Sequence, residues 1–118
     1  MNPNDFNILV DLYKSGQIKK AESQTKKMIG SFPNEIILYN LLGAIYIEKN
    51  KLNHAAKCFK KALVLNSNYA EAYNNLGIIF QKQGKNKEAI LNYTKAVSIN
   101  EKFHKAHKNL GILLREKG

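Results

Sequence analysis

Residues 38 to 56 read LYNLLGAIYIEKNKLNHAA, and residues 72 to 90 read AYNNLGIIFQKQGKNKEAI. With the first string laid over the second, Tyr39 meets Tyr73, Leu42 meets Leu76, Gly43 meets Gly77, Tyr46 meets Phe80 and Ala55 meets Ala89. Such a recurrence of side-chain size constrains the fold more than any other property of this chain. It marks units that must nest against one another. In this register the units cover 2–35, 36–69 and 70–103, and a partial fourth runs from 104 to Gly118.

Within a unit the apolar spacing is helical. Tyr73, Leu76, Gly77 and Phe80 fall at i, i+3, i+4 and i+7, and Ala89, Tyr93 and Ala96 form a second stripe at i, i+4 and i+7. Between them lies QGKN (83–86), where Gly84 can take the left-handed conformation that ends a helix. Each unit therefore reads helix, tight turn, helix. Gly77 and Ala89 are expected to let two backbones approach, with Tyr73 and Phe80 filling the space around them. Asn2 followed by Pro3 marks a helix start, a capping side chain and then a proline at the first helical position. One such hairpin buries too little surface to stand alone, so stacking on a neighbour must supply the rest. The expected class is all-α.

At 118 residues the chain suits a single domain, 1–118. No basic stretch followed by an apolar one opens it, so no secretory signal is visible. The most apolar run, from Ile36 to Ile47, is too short to span a bilayer. A single cysteine, Cys58, forms no internal disulfide, which points to a reducing compartment, the cytoplasm. The net charge of +10 is uneven: residues 1–48 hold five lysines and five acids, and residues 49–118 carry the whole excess. Eighteen of the nineteen basic residues are lysine, and Asn and Ile are also abundant. That joint bias reads as composition, with lysine as a solvated face, and charge alone makes no nucleic-acid partner.

The repeated residues resemble those of the tetratricopeptide repeat family: a large aromatic, Leu-Gly, a second aromatic, then Ala, an aromatic, Ala and a closing Pro. Units two and three match, except that Ser67 and Glu101 stand at the closing-proline position. The first unit has Asp5, Ile8, Leu9, Leu12, Ala21, Thr25 and Met28, and keeps Pro33. The partial fourth has His107, Leu110, Gly111 and Leu114. The resemblance implies a right-handed α-solenoid of stacked antiparallel helix hairpins, whose first helices line a concave groove. It also implies a non-catalytic scaffold that takes a peptide segment of a partner protein in that groove. Ile112, Leu113 and Leu114 are patterned for burial, which favours a fragment of a longer array over a dedicated cap.

By repeat position the groove residues are Val10 in unit one and Asn40, Ala44 and Ile47 in unit two. Asn74, Asn75, Ile78 and Lys82 follow in unit three, then Lys105, Lys108, Asn109 and Arg115 in the partial fourth. Such a groove is apolar near the N-terminus and basic towards the C-terminus, which fits an acidic peptide. Asn75 and Asn109 lie one repeat interval apart, as do Asn40 and Asn74. A side-chain amide both donates and accepts, so a column of them can track a peptide backbone. This is similar to the asparagine ladder of the repeats preceding the sugar-transferring enzyme of nuclear and cytoplasmic glycosylation. A complete two-carboxylate clamp, another mode of the family, is not expected, because Phe6 and Val10, or Asn40 and Ala44, stand where Lys and Asn are needed. No catalytic residues, metal site or cofactor are expected. His104 and His107 lack a third ligand, Cys58 lacks a base, and the nine acids are scattered. Two rival readings stay open: the N-terminal recognition arm of a transferase-type enzyme continuing past Gly118, and self-assembly through Ile112 and Leu113 of the last helix.

Overall fold

The capping expectation at the N-terminus holds. The Asn2 side chain accepts a hydrogen bond from the Asn4 backbone N–H at 2.9 Å, and Pro3 is the first helical residue. The computed structural model describes residues 1–117, Lys117 by its backbone only. Gly118, the end of the partial fourth unit, lies outside the described residues. The described residues form seven helices and no strand: α1 (Pro3–Lys14), α2 (Ile18–Ser31), α3 (Ile36–Glu48), α4 (Leu52–Leu65), α5 (Ala70–Lys82), α6 (Asn86–Ile99) and α7 (His104–Lys117).

Helix starts keep the interval of the sequence: 36, 70 and 104 for α3, α5 and α7, and 18, 52 and 86 for α2, α4 and α6. Each hairpin turn needs one residue with positive φ. Gly16 (83°), Asn50 (58°) and Gly84 (77°) supply it at the same repeat position. Asparagine tolerates that region because its short side chain bonds locally. The amide that follows reaches back to the carbonyl five residues earlier in all three turns: Gln17 to Leu12, Lys51 to Tyr46 and Lys85 to Phe80, at 2.8–2.9 Å. That bond satisfies a carbonyl the helix end would otherwise leave unpaired.

The chain divides into two compact units, Met1–Leu65 with α1 to α4 and Asn66–Gly118 with α5 to α7. In the first unit α1 pairs with α2, α3 with α4, and α2 also packs on α3. Leu38 and Ile45 of α3 are fully buried with Leu9 of α1 and Ala21 of α2. In the second unit α6 packs on both α5 and α7. Leu113 of α7 is buried there against Ala89 and Tyr93. Leu38, Ala72 and Ala106 are repeat copies, as are Ile45, Ile79 and Leu113, and all six are buried. Their counterparts in α1 are Asn4 and Asp11, both exposed, so that side of the first helix is polar.

The packing of the repeated glycines corrects the sequence expectation. Gly43 and Gly77 do not serve backbone approach; each receives an aromatic ring from the second helix of its hairpin. A Cβ on Gly43 would stand 2.5 Å from the Phe59 ring, and one on Gly77 would stand 2.5 Å from the Tyr93 ring. Phe59 and Tyr93 are 0% and 1% exposed. Burying a ring of this size contributes about 1.5–3 kcal/mol. In the first hairpin the sizes are exchanged: Leu9 stands at the glycine position and Thr25 at the ring position, and both are buried. Large against small is thus preserved with the partners reversed.

The first aromatic of each unit has a different task from filling the interior. Tyr39 donates its hydroxyl to the Pro33 carbonyl at 2.6 Å, and Tyr73 donates to Ser67 at 3.0 Å. His107, through Nε2, bonds the Glu101 carbonyl at 2.7 Å. The ring ties down the loop leading into its helix. Any residue type offers that carbonyl, which explains why Ser67 and Glu101 replace proline without loss of the contact.

Candidate functional site

All twelve residues assigned to the groove by register lie on first helices. In the first unit Val10 is on α1, and Asn40, Ala44 and Ile47 are on α3; all four are half-buried. In the second unit Asn74, Asn75, Ile78 and Lys82 are on α5, with Lys105, Lys108, Asn109 and Arg115 on α7. The three lysines and the arginine are exposed, and Asn75, Ile78 and Asn109 are half-buried.

The second unit brings three of these together. A cavity of about 450 Å³ is lined by Ile78, Gln81 and Lys82 of α5, Tyr93 of α6 and Asn109 of α7. Spacing explains the α5 contribution, since 78, 81 and 82 fall at i, i+3 and i+4 on one helical face. Lys105, Lys108 and Arg115 do not line it.

Two hydrogen bonds set the polar wall. Tyr93 donates its hydroxyl to Gln81 Oε1 at 2.7 Å. Burial pushes the Tyr93 hydroxyl up to about 12, so it remains a neutral donor. Gln81 keeps its amide protons for another acceptor. Asn109 donates through Nδ2 to Asn74 Oδ1 at 3.1 Å, which leaves its own Oδ1 as an acceptor. By register Asn74 belongs with the peptide-facing amides. Its side chain is instead only 4% exposed and is committed to Asn109. The cavity therefore offers an amide donor, an amide acceptor, an ammonium group and an apolar wall.

Tyr93 was not among the groove residues read from the sequence, whereas Gln81 is a further groove-facing first-helix position of unit three by the same register. The sequence did carry a signal for the pair: Tyr93 stands where Phe59 stands one repeat earlier, and a buried phenol needs a hydrogen-bond partner within reach. Two asparagines outside the ladder, one repeat interval apart, have local duties. Asn66 and Asn100 accept from the backbone N–H two residues on, at 3.0 and 3.1 Å, shaping equivalent loops.

Elsewhere, Cys58 is buried on α4, and burial pushes its thiol up to about 11. On α7, Leu113 is buried, Ile112 is half-buried, and Leu114 is 49% exposed. This corrects the expectation that Ile112 and Leu113 form the open apolar face of that helix. No helix is long and apolar enough to cross a membrane among the described residues.

Among solved structures, the crystal structure of MamA matches at 26% identity with a TM-score of 0.82, covering 95% of this chain and 66% of that one. A second MamA structure matches at 26% and 0.81, with 61% of its length covered, so the chain spans less than two thirds of either. The first TPR of Spaghetti (RPAP3) bound to the HSP90 peptide SRMEEVD matches at 20% identity and 0.84, covering 93% and 87%. The Arabidopsis OM64 TPR domain matches at 19% and 0.86, covering 92% and 89%. No curated protein matches the chain. A TPR repeat model matches residues 43–84 and a tetratricopeptide repeat model matches residues 70–103, the third unit as read from the sequence. With matches running from 43 to 103, seven helices at the repeat interval and neighbours that are all-α helical repeat solenoids, the chain belongs to the tetratricopeptide repeat family.

Proposed function

We propose that this chain is a non-catalytic protein-interaction scaffold of the cytoplasm that holds a peptide segment of a partner on its first-helix face. The observation that carries this reading is the cavity between α5, α6 and α7, where Ile78, Lys82 and Asn109 meet. An extended peptide offers an N–H to Asn109 Oδ1 and a carbonyl to the Gln81 amide, with an apolar side chain beside Ile78. Lys82, with Lys105, Lys108 and Arg115 exposed on the same two helices, favours carboxylates on that peptide. Spaghetti, alike in fold, is bound to a peptide with three acidic residues, SRMEEVD, which supports the same preference here. Within the first unit, Val10, Asn40, Ala44 and Ile47 are the proposed peptide-facing residues.

Titration of isotope-labelled protein with the heptapeptide SRMEEVD tests this. The amide resonances of Ile78, Gln81 and Asn109 should move together, and Asn109→Ala should weaken binding about tenfold, the loss of one good hydrogen bond. Unmoved resonances at these residues, or equal affinity for the variant, would end the proposal.

A second reading, self-association through α7, is favoured by Leu114 at 49% exposure and by Gly111, where an added Cβ would meet nothing within 4 Å. Under this reading the mass in solution rises with concentration and Leu114→Asp keeps the protein monomeric. A monomer at every concentration removes it.

A further inference from the structure

The first unit contains a second candidate site, lined by residues outside the twelve. A cavity of about 280 Å³ lies where α2, α3 and α4 meet, lined by Lys26 and Ile29, Tyr39 and Leu42, and Lys57, Cys58 and Lys61. Its apolar surface comes from Ile29, Leu42, the Cys58 thiol and the Tyr39 ring. Leu42 and Cys58 are 7% and 8% exposed, so they form the floor.

Three ammonium groups stand around this apolar slot. Lys57 and Lys61 are one helical turn apart on α4, and Lys26 belongs to α2. Lys61 lies over the Tyr39 ring at 6.0 Å from its centroid, and Lys26 lies over the Tyr46 ring at 5.7 Å. Lys26 is paired with Glu22 at 2.8 Å, a carboxylate it shares with Lys49. Among the described residues neither Lys57 nor Lys61 is paired with a carboxylate. The slot thus joins an apolar floor to two lysines that have no carboxylate partner among the described residues.

The geometry points to a docking site for an acidic peptide segment that inserts one large apolar side chain between Ile29, Leu42 and Cys58 and sets carboxylates against Lys57 and Lys61. At about 280 Å³ the slot has room for one large apolar side chain. Charge favours carboxylates flanking that side chain, because Lys57 and Lys61 border the slot on α4 without an acidic partner among the described residues. Burial holds the Cys58 thiol up at about 11, so it serves as uncharged floor. The site shares no lining residue with the cavity between α5, α6 and α7.

The test is a titration of isotope-labelled protein at low ionic strength with a capped pentapeptide, Glu-Asp-Phe-Asp-Glu. The amides of Leu42, Cys58 and Lys61 should shift. The double variant Lys57→Gln/Lys61→Gln should weaken binding on the order of tenfold, two surface charge pairs lost. A pentapeptide with alanine in place of phenylalanine should weaken it by a similar factor. Both lysines are exposed, so the double variant should keep the fold, and its amide spectrum checks this. Lys82→Gln, in the other cavity, should change nothing at this site. Shifts confined to Ile78, Gln81 and Asn109, full affinity in the double variant, or no binding would each overturn the assignment. So would a preference for phosphatidylglycerol vesicles that the double variant abolishes, which would make the surface a lipid-binding one.

Discussion

One methyl group separates three glycines that look alike in the sequence. Gly43, Gly77 and Gly111 occupy the same repeat position, yet a Cβ at the first two would strike a ring and at the third would meet open space. Gly77→Ala should destabilise the protein by about 1–3 kcal/mol, the cost of overpacking. Gly111→Ala should stabilise it by about 0.5–1 kcal/mol, because alanine loses less backbone freedom within a helix. Thermal melts of the two variants decide the matter, and shifts of the same sign would contradict the account. Thr25 presents the converse case. It fills the ring position of the first hairpin, and its hydroxyl is buried with no hydrogen-bond partner among the described residues. Thr25→Val removes that group at nearly constant volume and should raise stability by about 1 kcal/mol. A lower midpoint in denaturant would show that the hydroxyl is satisfied after all.

At the scale of elements, two kinds of link hold helices in place beyond the buried side chains. The bond from a first-helix ring to the preceding loop recurs three times, and Tyr73→Phe deletes one copy while keeping the ring. A loss of about 0.5–1.5 kcal/mol is expected. Hydrogen exchange should quicken at Asn68 to Ala70, and unchanged protection there would refute the tie. The second link joins α2 to the C-terminal end of α3. Glu22 receives Lys26 from its own helix and Lys49 from the end of α3. Those hydrogen bonds, from Lys26 and then Lys49, hold the Glu22 carboxyl at about 2, below its ordinary 4.5. A lowered folded value means that the carboxylate form stabilises the fold. The contribution is complete above the unfolded value near 4.5 and is lost as pH falls towards 2. Glu22→Gln should therefore cost about 1 kcal/mol at neutral pH and almost nothing near pH 2. Parallel stability curves across that window would rule the link out.

For the molecule as a whole, the single-domain reading of residues 1–118 makes a simple demand. Heat or denaturant should unfold the chain in one transition seen alike by circular dichroism and tyrosine fluorescence. Two separated transitions would instead divide it near Leu65, where the two compact units meet in sequence. Net charge acts on the same quantity. At +10 the folded chain repels itself, and added salt screens that repulsion, so the midpoint should rise with ionic strength.

Much of this was legible in the residues alone. Helix number, the repeat interval, the Gly84 turn and the Asn2–Pro3 start all follow from local rules, because periodicity, capping and backbone freedom act within a few residues. The tertiary structure decided what each repeated side chain touches. It gave the glycine notch to a ring, gave Tyr39, Tyr73 and His107 to the loops, took Asn74 inward to Asn109, and buried Leu113 while leaving Leu114 exposed. Neighbouring residues on one helix differ by about 100° in direction, and only the arrival of a second helix determines which of them is covered.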